Sequence, residues 1–364
     1  MEDRKEADFR NGFDDGFGAL ESLDIKRINN FDELLTAMSK TAFDGRRLGE
    51  AAEVLVHMIQ SEDCLIVGTF SGAMTVAKMG SLICDMIDWG WLDIIVTTGA
   101  LIAHGLVESC GLRHFKYDHS MDDKELFKKG YDRIYDTLEL EKNLDDVERI
   151  VSSIFSQMDR QQIFSSESIC RGLGQWLVEN SEGPGILKSA YSKNVPIYIP
   201  AFTDCELGLD IATWMVKTAV AENRVSHLKQ AIAEPMIRFD PFLDLGSYTT
   251  KIIEAEKIGI FTIGGGVPRN WAQQVCPYLD ILNIRTKSNI PLKKFQYGVR
   301  ICPEPVHWGG LSGCTYSEGV SWGKFADKSE GGMFSEVFTD ATVAWPILIK
   351  AVKERIDRSA KSKS

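Results

Sequence analysis

Eight cysteines are scattered between Cys64 and Cys314, and no two of them form a Cys-x-x-Cys pair. That spacing argues against a disulfide framework and fits reduced thiols in apolar segments. Long hydrophobic runs are also missing. One of the longest, Leu92-Asp-Ile-Ile-Val-Thr-Thr-Gly-Ala-Leu-Ile-Ala103, is broken by polar residues and falls short of a membrane span. The N-terminal Met-Glu-Asp-Arg-Lys-Glu-Ala-Asp has no apolar core and does not read as a signal peptide, so a cytoplasmic location is expected. Positive charge is in deficit, with 41 lysines and arginines against 52 aspartates and glutamates and a formal net charge of -11. Nucleic-acid partners call for a basic footprint, and this balance argues against one. It suits a cationic substrate, and solubility explains it equally well. Absent too are a Gly-x-Gly-x-x-Gly fingerprint, a Gly-x-Ser-x-Gly elbow, an internal repeat and any low-complexity tract.

What remains is 364 residues, 44% of them hydrophobic, enough for a large core. Residues 1–30 are polar and glycine-dotted and read as an N-terminal arm, with Ile25 and Ile28 as its anchors. From Phe31 the apolar residues recur at three- and four-residue spacing, as in helices: Leu34, Leu35, Met38, then Leu48, Ala51, Leu55 and Ile59. Short apolar runs alternate with such stretches at Cys64–Gly68, Leu92–Thr98, Val195–Pro200, Ile258–Ile263, Tyr297–Ile301 and Glu336–Thr339. Residues 120–195 read as mostly helical. Alternation of this kind implies a mostly parallel sheet covered on both faces. The expectation is one α/β domain over residues 31–364, doubly wound and Rossmann-like, with a helical insertion.

Four of these runs end in small or hydroxyl residues: Gly68-Thr-Phe-Ser-Gly72, Thr97-Thr-Gly-Ala100, Thr203-Asp204 and Gly264-Gly-Gly266. Ligands of open α/β sheets bind outside the carboxyl ends of the strands, where glycine admits a phosphate to the backbone. Singly each is only a turn signal. Together they point to a nucleotide-sized ligand. Asp204 there can hold a ribose hydroxyl, or it can cap the next helix, which its chemistry alone favours. Asp340-Ala341 poses the same question.

Near the C-terminus stands Ser317-Glu-Gly-Val-Ser-Trp-Gly-Lys324. A desolvated lysine amine attacks carbonyl or imine carbons, tryptophan offers a face to a cation, and glutamate can anchor that cation or move its proton. The alternative is a surface lysine ending a loop. His104, His114, Asp118 and His119 can be drawn as a metal cluster, but their spacing matches no metal motif, and surface polar residues are the expectation. No metal is expected. His104 is the exception, since it follows Thr97-Thr-Gly-Ala100 into a helix that can face a cleft. His307 is a second acid–base candidate, with loop capping as its alternative.

From about Phe31 to the last helix the chain resembles the deoxyhypusine synthase family, in its bacterial deoxyhypusine-synthase-like branch. The matching motifs are Gly68-Thr-Phe-Ser71, Asp93-Ile-Ile-Val-Thr-Thr98, Pro200-Ala-Phe-Thr-Asp204, Gly264-Gly-Gly-Val267, Gly319-Val-Ser-Trp-Gly-Lys324 and Thr339-Asp-Ala341, in family order. The resemblance implies transient use of NAD, oxidation of a polyamine such as spermidine, an aminobutylidene group held on Lys324, and its transfer to an acceptor amine. Glu318 and Trp322 would serve with Lys324. Ser71, Thr75, Thr98, Gly99, Asp204, Gly265, Gly266, Asp340 and Ala341 would line the NAD site, and the family builds its site between subunits of a homotetramer.

Departures fall on the polyamine and acceptor positions. Asn270 stands where the family has histidine, Gln274 replaces asparagine, and Leu209 replaces an aspartate flanked here by Glu206 and Asp210. Ala103-His104 stand where two glutamates are usual, Gly72 replaces asparagine, and Thr75 stands for serine. The Trp308–Ser317 segment, with Ser312 as a substrate contact, lacks the family's acidic run, and an insertion covers Leu282–Gln296. Transfer to a small amine, giving a homospermidine-type polyamine, is therefore the expected activity. The alternatives are modification of a protein lysine and an inactive nucleotide-binding regulator.

Overall fold

Six short apolar runs pair side by side, every pair parallel. Across the sheet they stand as Met333–Val337, Tyr297–Ile301, Lys257–Ile263, Cys64–Phe70, Ile94–Thr97 and Ile197–Tyr198. The winding of the chain thus reverses between Cys64–Phe70 and Lys257–Ile263, which pair residue for residue from Cys64↔Lys257 to Phe70↔Ile263. Parallel neighbours need a crossover, and helices supply it on both faces. The computed structural model describes residues 6–361; Met1–Lys5 of the expected arm and the last three residues of the chain lie outside them.

Alternation along the strands divides the core. Ile66 and Phe70 face one layer, with Leu101, Ile102, Leu207, Ile211 and Trp345 of the helices Gly99–Ser109, Glu206–Ala221 and Ala341–Lys361. Val67, Ile94 and Ile260 face the other, with Tyr248, Ala272, Cys276, Tyr316 and Phe325. These last come from the helices Pro241–Glu254, Gly266–Gln273, Val275–Thr286 and Tyr316–Ser321 and the turn after it. The sheet therefore separates two sets of helices, and that separation positions the site.

The structure corrects the expected pattern in three places. The insertion is not wholly helical: Phe115–Lys116, Thr137–Leu140 and Tyr131–Ile134 form an antiparallel sheet. Its hairpin turns at Tyr135, whose φ of 54° is of the left-handed kind such tight turns use. The sixth strand is Met333–Val337 instead of Glu336–Thr339, since Gln296 and Tyr297 pair it from Met333 onward. In the arm, Ile28 is half-buried but Ile25 is exposed and anchors nothing. Among the described residues no helix is long and apolar enough to cross a membrane.

Candidate active site

Lys324 enters the interior through a turn that only its neighbours explain. The helix Tyr316–Ser321 ends at Trp322, and Gly323 follows with φ 69°, the left-handed conformation that spares glycine the Cβ clash. The Lys324 N–H then donates back to the Gly319 carbonyl at 3.0 Å, and the chain folds inward. Phe325, fully buried against Tyr316, Phe295 and Phe334, fixes this return. Lys324 is left 6% exposed. Its Nζ donates to Asn270 Oδ1 at 3.3 Å and lies 5.7 Å from the centroid of the Trp322 ring, which is itself exposed. Among the described residues no carboxylate forms an ion pair with it. Burial lowers the Lys324 amine, the Arg269 guanidinium lowers it further, and the negative charge of the nearby, exposed Glu318 opposes them only in part. Such a shift favours the neutral, nucleophilic form of the amine over the ammonium.

Two buried arginines that the sequence reading did not single out hold the loop before this helix. Arg300 Nη1 donates to the Ser312 and Cys314 carbonyls at 2.6 and 2.8 Å while Nη2 pairs with Glu336 at 2.7 Å. Arg269 donates to the Cys314 carbonyl at 2.6 Å and lies over the Tyr316 ring. An arginine inside the apolar strand Tyr297–Ile301 was the signal, because such a charge is buried only when paired. Through this clamp Ser312 rests on Gly265, where any Cβ would come within 2.6 Å of the Ser312 Cα.

All six strands point the same way, so their carboxyl ends share one edge. Ser71, Thr98, Gly99, Gly265, Gly266, Asp340 and Ala341 are gathered there, and Asp204 follows the Ile197–Tyr198 strand. The Ser71 hydroxyl donates to the Gly265 carbonyl, where the winding reverses, and Thr98 Oγ1 donates to the Gly72 carbonyl at 2.6 Å. The helices Gly99–Ser109 and Gly266–Gln273 begin at this edge with no side chain capping their first N–H groups. Thr75 differs from these: it is buried, its hydroxyl committed to the Leu101 carbonyl at 3.0 Å. Asp340 caps the last helix through Thr342 N at 2.6 Å. Asp204 does not cap; the N-cap of its helix is Cys205, which leaves Asp204 exposed, against the capping preference of its chemistry.

Asn270 lies one helical turn from Gly266, so Lys324 and the strand-end edge are neighbours. Gln274, a turn further, is exposed. His104, Glu206 and Asp210 belong to the helices on the other side of the sheet. There His104 Nε2 faces Glu206 Oε1 at 3.9 Å. Burial pushes Asp210 up to about 7, helped by the charges of Glu148, Glu206 and Asp145.

His114 is not the surface residue expected. Its side chain is wholly buried, and with Glu139, from the hairpin, it adjoins His104, the donor atoms of the three lying within 4.8 Å of one another. The hairpin went unread, so Glu139 went unpaired. Asp118 and His119 are exposed, as expected, and His307 is exposed beside Trp308.

The family model described as "Deoxyhypusine synthase" matches residues 33–352. "Probable deoxyhypusine synthase 2" of Methanosarcina acetivorans is 32% identical over 334 residues, 92% of this chain and 89% of the relative. The "Deoxyhypusine synthase-like protein" of Chlorobaculum tepidum is 30% identical over 322 residues, 88% of this chain and 85% of that one. In fold, the chain is similar to the crystal structure of a "putative deoxyhypusine synthase from Entamoeba histolytica", with a TM-score of 0.56, 15% identity, and 91% and 96% of the two chains covered.

Proposed function

Because this chain belongs to the deoxyhypusine synthase family, we propose that it is an NAD-dependent aminobutyl transferase that passes its group from a polyamine, through an imine on Lys324, to a small acceptor amine. The observation that carries the reading is the buried Lys324 amine, lowered by desolvation and bonded to an amide instead of a carboxylate. A free amine at that place attacks an imine carbon; an ammonium could not.

The strand-end edge suits a dinucleotide. Uncapped N–H groups at Gly99 and Gly266 can take the pyrophosphate, and they flank the reversal of winding where Rossmann-like sheets hold such ligands. Ser71, Thr98, Gly265, Asp204 and Asp340 would complete the binding, with Thr75 supporting the edge from beneath. NAD, when bound, supplies a hydride acceptor and returns the hydride at the end. Lys324 Nζ attacks the oxidised donor carbon, the departing diamine takes its nitrogen and electron pair, and the aminobutyl group stays on Nζ. Trp322 presents its face to the cationic chain, and Glu318 anchors an ammonium or carries its proton. The acceptor nitrogen then displaces Nζ.

His104, Glu206 and Asp210, with the sheet between them and Lys324, can share a substrate with it only if a second copy supplies one half. This supports a homo-oligomeric, tetrameric enzyme with sites between subunits. A small acceptor is supported by Asn270, which replaces a histidine beside Lys324, and by His104, which replaces a glutamate.

The test is product analysis by mass spectrometry, using purified protein with NAD and spermidine or putrescine, without any protein acceptor. A new aminobutylated amine is expected, and Lys324→Ala should abolish it while NAD still binds. Release of the donor's leaving amine with no aminobutylated small amine formed would overturn the choice of acceptor; product from Lys324→Ala would overturn the carrier.

A further inference from the structure

The group around His104 carries more than a substrate contact. Lys78 Nζ is 2.5 Å from Glu108 Oε1 and 2.7 Å from His114 Nδ1. An ammonium only donates, so His114 Nδ1 is the accepting nitrogen and Nε2 bears the proton. That Nε2 lies 2.5 Å from Glu139 Oε2, an ion-pair contact that is off line for a hydrogen bond. The other oxygen, Oε1, accepts from the Leu140 N–H and the Asn143 amide, each at 3.1 Å. Burial pushes the Glu139 carboxyl up, but the polar contacts of His104, His114 and Asn143 outweigh it and hold the group at about 2. It is therefore a carboxylate, and His104 Nδ1, 3.3 Å from Oε2, faces it as N–H. In the neutral ring that tautomer leaves the lone pair on His104 Nε2, which faces Glu206. Two acceptors thus face each other across 3.9 Å, and Glu206 Oε2 is buried with no hydrogen-bond partner among the described residues. A donor is missing here, and a primary ammonium seated beside the pair can donate to both acceptors at about 2.8 Å each.

We propose that His104, oriented by Glu139, is the proton acceptor for the incoming amine. The ammonium of the acceptor sits beside His104 Nε2 and Glu206 and bridges them. One N–H bond breaks, a proton joins Nε2, and the nitrogen keeps its electron pair for attack on the imine carbon carried by Lys324 of the partner subunit. Glu139, His114 and Lys78 are positioning residues that set the His104 tautomer. The same tautomer argument disfavours a metal ion in the cluster, since His114 Nε2 carries a proton where a metal would need a lone pair. The titratable groups that face His104 and its partners are Glu139 of the hairpin, His114 of the preceding loop with Lys78 and Glu108 behind it, and Glu206 of a neighbouring helix; Asp210 of that same helix is in turn faced by Asp145 and Glu148, the latter paired with Lys217.

The proposal rests on the transferase reading, and the experiment separates the two. With spermidine as donor, release of diamine reports the first half-reaction, and aminobutylated product reports transfer. For His104→Gln, and less strongly for Glu139→Gln, the ratio of transfer to release should fall about 100-fold near pH 7, a typical loss for a general base. The deficit should close as pH approaches the range, about 10, where a primary amine loses its proton in solution. A pH-independent ratio equal to that of the native protein would overturn the proposal. If the native protein releases no diamine, the transferase reading fails, and histidine nitrogen NMR decides on the dyad by itself. His104 should be protonated on Nδ1 and His114 on Nε2, and the His104 signal should change in Glu139→Gln. An Nε2–H tautomer at His104, or a divalent cation co-purifying on the two histidines, would refute it.

Discussion

Asp210 illustrates what burial among other carboxylates costs an acid. Its carboxyl is raised from 3.8 to about 7 by burial and by neighbouring carboxylates, so the folded state binds that proton more tightly than the unfolded chain does. The resulting stability is complete below the unfolded value and drains away as pH rises through about 7. Asp210→Asn should therefore raise the melting temperature by a few degrees at mildly alkaline pH and leave it nearly unchanged at pH near 4. Equal melting at both would show that the carboxylate is not strained. Lys324 follows the matching logic for a base: lowered by burial, it offers a free amine at pH values where an exposed lysine remains protonated. This much could be read from the residues, because Trp322, Glu318 and Lys324 are close in sequence. Arg269, Glu139 and His114 could not be placed that way; their partners, such as Cys314 and His104, are supplied by the tertiary fold.

At the scale of elements, turns do the positioning. Gly323 has open space around the place of a Cβ, so a substitution there is opposed by backbone conformation alone. Gly323→Ala should cost about 1 kcal/mol in denaturant melts and reduce transfer by displacing Lys324; Gly323→Asn, which tolerates the left-handed region, should lose less of both. Equal behaviour of the two variants would show that the turn does not set the lysine. The parallel strands were legible from their apolar runs and terminal glycines, and with them the edge where Ser71, Thr98 and Gly265 gather. The hairpin Tyr131–Leu140 was not, because its charged residues, Asp132, Arg133 and Glu139, alternate with apolar ones only over a few positions. Missing it hid Glu139 and with it the setting of His104.

For the whole molecule, the division across the sheet matters most. Lys324 with Asn270 stands on one side and His104 with Glu206 on the other, so in the proposed mechanism each half needs a second copy to supply the other. Two transfer-deficient proteins, Lys324→Ala and His104→Gln, when unfolded together and reassembled, should regain part of the native transfer activity at about pH 7 through mixed interfaces holding one intact site. Failure of any mixture to recover activity, with mixed oligomers demonstrated, would place both halves in one subunit.

The most direct test of the central claim is to trap the carrier. The protein is incubated with NAD and a polyamine donor, reduced with borohydride, digested, and its peptides are weighed by mass spectrometry. An aminobutyl group fixed on Lys324 is the predicted result. Product formation with Lys324 unmodified, or with the group on another lysine, would contradict the account.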